Sequence, residues 1–153
     1  MSVRRAEPAD AATVAELIAE FAGWWGKAGT SSEEIRANVE RIMAGGDGEY
    51  LLGAADEHGQ AAGVCQLRFR WSVWTSAEDC WMEDLYVRDA ARRSGLGRAL
   101  VEAALDRARE RGCRRIELDV NEDNAAARAL YEACGFRTEP KPPGRTLFIG
   151  RPL

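Results

Sequence analysis

The sequence predicts an α/β (α+β) fold: a mixed, mostly antiparallel central sheet of about six to seven strands, with helices on both faces. Three observations predict it. Apolar residues recur at helical spacing in some segments and alternate with period two in others. The segments run β-α-α-β-β-β-α-β-α-β-β. Strand and helix alternate only in the second half, while the middle is a meander of strands, so parallel and antiparallel pairing must share one sheet.

Val3-Arg4-Arg5 opens with a short strand. Pro8 and Asp10 then supply helix start signals. Val14, Leu17, Ile18, Phe21 and Trp25 follow on one apolar face, and the glycines from Gly23 to Gly29 end the helix. Ser31-Ser32-Glu33-Glu34 has the form of a capping box. It opens a second amphipathic helix through Ile35, Val39, Ile42 and Met43, stopped by Gly45-Gly46. Tyr50 to Ala55 reads as a strand, Asp56 to Gly59 as a turn, and Ala62 to Trp71 as another strand. In the last, Cys65, Leu67, Phe69 and Trp71 alternate with Gln66, Arg68 and Arg70, the pattern of a strand with one wet face. A further strand spans Asp79–Arg88, and a long helix runs from Gly95 to Arg111 with Gly112 beyond its end. Arg115 to Val120 alternates as a strand. Asn124 to Cys134 is a helix ended by Gly135. Phe136–Thr138 and Thr146–Arg151 are expected as final strands around a proline-rich loop, Pro140 to Pro143.

A chain of 153 residues points to one domain. At that length roughly 68–70% of the unfolded surface is buried on folding, so neither disulfide nor metal is required. With 46% hydrophobic and 30% charged residues the composition is that of a globular protein. No apolar run approaches the ~20 residues of a membrane span. Met1 to Arg5 lacks the apolar core of a signal peptide, so the expected location is cytoplasmic. Cys65, Cys80, Cys113 and Cys134 show no C-x-x-C spacing, and His58, in an expected turn, is the only histidine. That excludes a zinc site and a histidine-based triad as expectations. The net charge of −4 disfavours nucleic acid and favours cationic substrates. Against that background Arg88, Arg92, Arg93 and Arg98 crowd together, a basic spot suited to a discrete anion such as phosphate.

The link between the Asp79–Arg88 strand and the next helix holds Arg92-Arg93-Ser94-Gly95-Leu96-Gly97-Arg98. Backbone N–H groups at a helix start have no internal partner, glycines let an anion approach them, and the helix dipole favours negative charge there. Arginines add charge-assisted hydrogen bonds. A dinucleotide fingerprint would need Gly or Ala where Leu100 stands, and a P-loop would need Gly-Lys-Ser/Thr. Neither is present. A glycine turn that merely starts a helix is the plain alternative.

The stretch from Glu83 to Leu100 resembles the coenzyme A motif Arg/Gln-x-x-Gly-x-Gly/Ala of the GNAT superfamily of N-acetyltransferases. Arg92, Gly95 and Gly97 fill its fixed places. Asp89 stands where such families often have Pro, and Arg93 where they often have Gly. One strand later, Asn124-Ala125-Ala126-Ala127-Arg128-Ala129-Leu130-Tyr131-Glu132-Ala133-Cys134-Gly135-Phe136 resembles the superfamily's second motif. The resemblance spans nearly the whole chain and implies a single N-acetyltransferase domain, 1–153, with acetyl-CoA as acyl donor and no metal. It implies that the pantetheine arm runs along Leu85-Tyr86-Val87 like an added strand, that residues 92–98 hold the pyrophosphate, and that Asn124 and Ala127 lie beside the arm.

An attacking alkylammonium must first lose a proton, since its ordinary pKa is near ~10.4. Glu83 is the candidate base. Regular alternation places it on one strand face with Trp81, Leu85 and Val87, and a carboxylate among apolar neighbours gains the basicity a proton acceptor needs. Asp84, on the other face, is the second choice. Glu83-Asp84 also resembles the diamine acetyltransferase branch, where the matching Glu is the suspected base. Tyr131 is the candidate donor of a hydrogen bond or proton to the leaving thiolate. Trp24, Trp25, Trp71, Trp74 and Trp81 all precede the coenzyme motif. They read either as packing or as an aromatic wall for a cation, with Trp25, Trp71, Trp81 and Asp84 as acceptor-side candidates. The expected acceptor is the primary amine of a small cationic molecule, and a homodimer is expected. A protein N-terminus or lysine as acceptor, or a non-catalytic acyl-CoA sensor, are the competing readings.

Overall fold

The computed structural model describes residues 1–26, 29–55, 59–138 and 149–152. The elements are β1 (Ser2–Arg5), a 3-10 turn (Pro8–Asp10), α1 (Ala11–Trp24), α2 (Ser32–Gly45), β2 (Gly48–Ala54), β3 (Ala61–Ser72), β4 (Ala77–Val87), a second 3-10 turn (Asp89–Ala91), α3 (Leu96–Glu110), β5 (Arg115–Glu117) and α4 (Ala125–Ala133). The sheet order is β1-β2-β3-β4-β5. All neighbours are antiparallel except the parallel pair β4 and β5.

The helices start where the chain chemistry places them. Pro8 sits in the first turn before α1, and Asp10 accepts two bonds from Arg4 at 2.6 and 2.7 Å. The Arg4 guanidinium pulls the Asp10 carboxyl down to about 2. The capping box of α2 forms in both directions. Ser31 Oγ accepts from Glu34 N at 3.2 Å, and Ser31 N donates to Glu34 at 2.8 Å. Gly46 ends that helix in the left-handed conformation, φ 76°.

Two apolar layers flank the sheet. On one side α3 and α4 cover Leu51, Cys65, Leu67, Phe69, Cys80 and Met82. On the other, α1 and α2 cover Tyr50, Leu52 and Val64. The face of β3 read as wet is covered only in part: Gln66 is buried, whereas Arg68 is partly exposed and Arg70 exposed. Alternation of Gln66 with Cys65 reported the two faces correctly, but polarity alone does not say that α1 and α2 lie over one of them.

The strand count also differs from expectation. Among the described residues there are five strands, not six or seven. Phe136–Thr138 is irregular, and so are the described residues 149–151 of the expected last strand, whose residues 146–148 lie outside the described set. So do Asp56, Glu57 and His58 of the expected turn and the Pro140–Pro143 loop. The Arg115–Val120 strand is only Arg115–Glu117 long. Leu118 and Val120 keep the period-two pattern, but a pattern records faces and not partners. The site depends on the missing partner.

Candidate active site

β4 carries a bulge at its middle. Gln66 of β3 faces Asp84, whereas its neighbour Leu67 faces Met82, so Glu83 is an extra residue with no opposite number. A bulge re-aims the side chains around it. Cys80 and Met82 before it and Leu85 and Val87 after it all pack on the α3 side. The regular alternation expected through Glu83 is thus broken, and Trp81 does not share the face of Leu85 and Val87. Trp81 pairs with Arg68, two residues from Gln66 on β3, so it shares the α1/α2 face with Asp84. Glu83 is exposed rather than enclosed by apolar side chains. Its carboxylate makes no hydrogen bond or ion pair with a described residue.

β4 and β5 pair only from Asp79 to Trp81 and from Arg115 to Glu117. Arg115 donates to the buried Asp79 at 2.7 Å, and Thr75 adds a bond at 3.3 Å. Beyond Trp81 no described strand pairs with the outer edge of β4. Along residues 83–87 that edge has no strand partner among the described residues, and the Val87 carbonyl takes the Arg92 side chain.

Tyr131 on α4 packs half-buried against the cluster that contains Cys65, with Phe136 edge-on at 5.8 Å. Burial raises its phenol to about 12, with lesser contributions from Cys65 and Asp119. Cys65 is the register partner of Leu85, which places Tyr131 near the open segment of β4. Its hydroxyl makes no hydrogen bond to a described residue.

The loop after β4 ends in a left-handed pair of residues around Ser94. Arg93 has φ 62° and Gly95 φ 92°. Ser94 Oγ donates to Ala91 O at 2.7 Å and accepts from Leu96 N at 3.3 Å. Ser94 thus satisfies the first N–H of α3, and no N-cap side chain bonds the next ones, so the N–H groups of Gly97 and Arg98 have no side-chain partner among the described residues. A Cβ at Gly97 would make only an ordinary contact, 3.4 Å from Leu130 of α4. Leu96 is fully buried.

The four crowded arginines are not equivalent. Arg88 binds Glu16, Glu20 and the Ala61 carbonyl, fastening β4 to α1. Arg92 turns back to Val87 O at 3.1 Å and Asp89 at 2.9 Å, with its guanidinium over Trp24 at 5.5 Å. Arg98 pairs with Glu102 at 2.8 Å. Arg93 is exposed and makes no ion pair among the described residues. Asn124 accepts from Ala127 N at 3.2 Å as the cap of α4, which leaves its amide N–H groups as its donors.

The tryptophans fall in separate places. Trp25 and Trp24 end α1, where Phe21 contacts both and also Tyr86 at 5.6 Å. Trp71 and Trp74 are exposed at the β3–β4 hairpin. Trp71 follows Phe69 on the α3-side face, opposite Trp81, so these two do not form one wall. Two buried polar residues near the bulge, Tyr50 and Gln66, carried no signal as site residues in the sequence. Their neighbour Asp84 did, and the register that joins all three is not written in any one strand.

The family model described as acetyltransferase (GNAT) family matches residues 14–136. The chain belongs to that family. This acetyltransferase is 32% identical over 138 residues to the aminoglycoside N(6')-acetyltransferase type 1 of Stenotrophomonas maltophilia, covering 88% of this chain and 85% of the relative. It is 26% identical to the thialysine N-epsilon-acetyltransferase of Bos taurus, covering 87% and 82%. Among solved structures, an aminoglycoside acetyltransferase from an uncultured soil metagenomic sample, in complex with sisomicin, superposes with a TM-score of 0.78 at 13% identity, covering 97% and 96%. At that identity it shows the fold alone. No helix among the described residues is long and apolar enough to cross a membrane.

Proposed function

We propose that the chain transfers the acetyl group of acetyl-CoA to a primary amine of a small cationic molecule, by direct attack within a ternary complex. The observation that carries this is the open outer edge of β4, which runs from Glu83 at the bulge to the Arg92–Gly97 loop, with Tyr131 beside it. An extended arm ending in a phosphate matches that layout. The outer edge of the Leu85-Tyr86-Val87 segment pairs with an amide-containing chain as it would with a strand, once Arg92 yields the Val87 carbonyl it holds. The start of α3 and Arg93 take the pyrophosphate. The sequence similarity to enzymes named for aminoglycoside and thialysine acetylation supports an amine as acceptor.

The chemistry needs two proton-bearing groups. Glu83 accepts the proton that the ammonium must lose, directly or through one water. The freed amine attacks the thioester carbonyl carbon, and backbone N–H groups of β4 stabilise the oxyanion. The C–S bond then breaks, and the nitrogen, cationic after attack, gives its second proton to solvent to leave the neutral amide. A phenol raised to about 12 holds its proton against a thiolate whose thiol ionises near ~8.5. Tyr131 therefore stabilises the departing sulfur by donating a hydrogen bond, and the thiolate leaves as the anion. No acyl-enzyme is needed. Burial pushes Cys134 above its ordinary value, which disfavours a thiolate nucleophile.

A coupled assay that detects free thiol, run across a panel of amines, tests the reading. Release of coenzyme A that depends on an amine supports it. Binding of acetyl-CoA without turnover on any amine would instead make the protein an acyl-CoA sensor.

A further inference from the structure

Arg92 ties the open edge of β4 to the end of α1. Arg88 N donates to Ala62 O, one step along the register that pairs Val87 with Gly63. Backbone groups of alternate residues point to opposite edges of a strand, so Arg88 and Tyr86 turn theirs toward β3, and Val87 and Leu85 turn theirs to the open edge. The Val87 carbonyl there is already taken, because Arg92 Nε donates to it at 3.1 Å. A chain added to a sheet lies about 4.8 Å from its neighbour. A guanidinium bonded to the edge at this distance fills that lane at its Val87 end. Two side chains hold it there. Asp89 pairs with Arg92 at 2.9 Å. Trp24 lies beneath the guanidinium, 5.5 Å from its carbon to the ring centroid, within the range of a cation–π contact. Trp24 stacks on Phe21 at 6.2 Å, and Phe21 lies 5.6 Å from Tyr86. Arg92 itself lies outside every strand and helix, so its side chain can leave the edge without unpairing the sheet.

We propose that Arg92 is a latch on the donor lane, held closed by Trp24 and Asp89, which acetyl-CoA opens as it binds. The inference rests on the acetyl-transfer reading and adds a regulation of the same site. Closed, the guanidinium occupies the Val87 carbonyl and covers Trp24. Open, it yields the carbonyl to an amide of the arm and leaves the Trp24 ring bare. The arm binds only the open fraction, so the closed contacts lower its apparent affinity by that fraction. Each closing contact is weak: the ion pair is exposed, and Trp24 is 55% exposed. Weak contacts suit a latch, since a ligand shifts an equilibrium only by its difference in affinity for the two states. Trp24 and Asp89 are positioning residues, because they act on the donor through Arg92.

Calorimetric titration of acetyl-CoA into a cycle of variants tests the latch. Trp24→Leu removes the ring face and keeps an apolar side chain. It should tighten binding by about two- to fivefold, the scale of an exposed cation–π contact. Asp89→Ala should tighten it by up to about fivefold. In an Arg92→Ala background the latch is gone, so neither substitution should add a gain. A merely structural contact would give weaker or equal binding, and loss of the Asp89 charge alone would act with or without Arg92. In heteronuclear NMR spectra the indole N–H peak absent from Trp24→Leu should move when acetyl-CoA is added to wild type. In Arg92→Ala it should already sit near that bound position. No gain from Trp24→Leu with Arg92 present, an equal gain without Arg92, or a Trp24 peak that stays still would overturn the proposal. If Trp24→Leu does not fold, Asp89→Ala decides by the same comparison. If acetyl-CoA binds but no amine is acetylated, the transferase reading fails alone and the affinities still decide the latch. Absence of acetyl-CoA binding from every variant would overturn both.

Discussion

β4 is one strand with two characters. From Asp79 to Trp81 it has paired strands on both edges, and Asp79, Cys80 and the adjoining Met82 are buried. From Glu83 to Val87 it keeps β3 on one edge and loses β5 on the other, and none of its side chains is fully buried. The change falls at the bulge. The first half stabilises the fold, because its charges are matched and its apolar groups are covered. The second half has no described strand on its outer edge, an arrangement a folded protein tolerates at the surface where water or a ligand completes the ladder. Under the proposed function, stability and reactivity are separated along a single strand at the bulge.

Substitution in the two halves should separate these roles. The largest effect is expected in the first. Burial alone would raise the Asp79 carboxyl, but the hydrogen bond and charge of Arg115, with help from Ser72 and Thr75, hold it below its ordinary value. Asp79→Asn removes the buried carboxylate that Arg115 and Thr75 bind and should cost about 1–3 kcal/mol in urea unfolding at pH 7, the scale of a hydrogen bond to a charged group. The folded carboxyl is depressed, so its contribution is complete above the unfolded value near ~3.9 and is lost as the pH falls through the folded value. Wild type and variant should therefore converge in acid. A constant gap from pH 7 down to that range would remove the ion pair as the cause.

The second half should lose rate instead. Glu83→Gln removes no contact with a described residue, so its unfolding midpoint should stay near that of wild type. Its kcat/KM at neutral pH should fall by about 100- to 1,000-fold, within the range of general base catalysis. Raising the pH should recover much of this, because the free amine then forms without help. A loss below about threefold would pass the base role to Asp84 or to a water.

Much of this was legible in the sequence, for definite reasons. The capping box at Ser31 and the glycine stops at Gly46 and Gly112 are local, and local chemistry reads directly. The blocks around Arg92–Gly97 and Asn124–Phe136 carried the family because two motifs in order are far more specific than one. The bulge was not legible. It depends on how β3 and β4 align, and Trp81-Met82-Glu83-Asp84-Leu85 reads equally well as regular alternation. The end of β5 was hidden for the same reason. Arg92 shows a further limit: its place in the motif suggested phosphate, but Val87, Asp89 and Trp24 hold its side chain. A motif position fixes the residue type without stating its partner.

Tyr131→Phe should fall between these effects. The ring and its contact with Phe136 are kept, and only the donor to the leaving sulfur is lost. A hydrogen bond to a charged group predicts a fall in kcat of about 10- to 100-fold, with the KM for acetyl-CoA little changed. The phenol is raised to about 12, so wild type should keep this donor beyond the ordinary ~10 of tyrosine. An alkaline fall in rate below that value that vanished in Tyr131→Phe would contradict the assignment.

The smallest effect concerns Arg93, where two demands meet in one residue. Its backbone at φ 62° costs a non-glycine residue about 1 kcal/mol, and its side chain brings charge to the loop. Arg93→Gly relieves the first and loses the second, whereas Arg93→Ala keeps the strain and loses the charge. Both variants should raise the KM for acetyl-CoA severalfold at low salt, on the order of one charge-assisted hydrogen bond, and the difference from wild type should shrink as salt screens the loop. Arg93→Gly should unfold at higher urea than Arg93→Ala. A KM unchanged in both would mean that the α3 amides hold the pyrophosphate alone. In that case the open half of β4 would bind its donor through backbone from end to end, with side chains reserved for Glu83 and Tyr131.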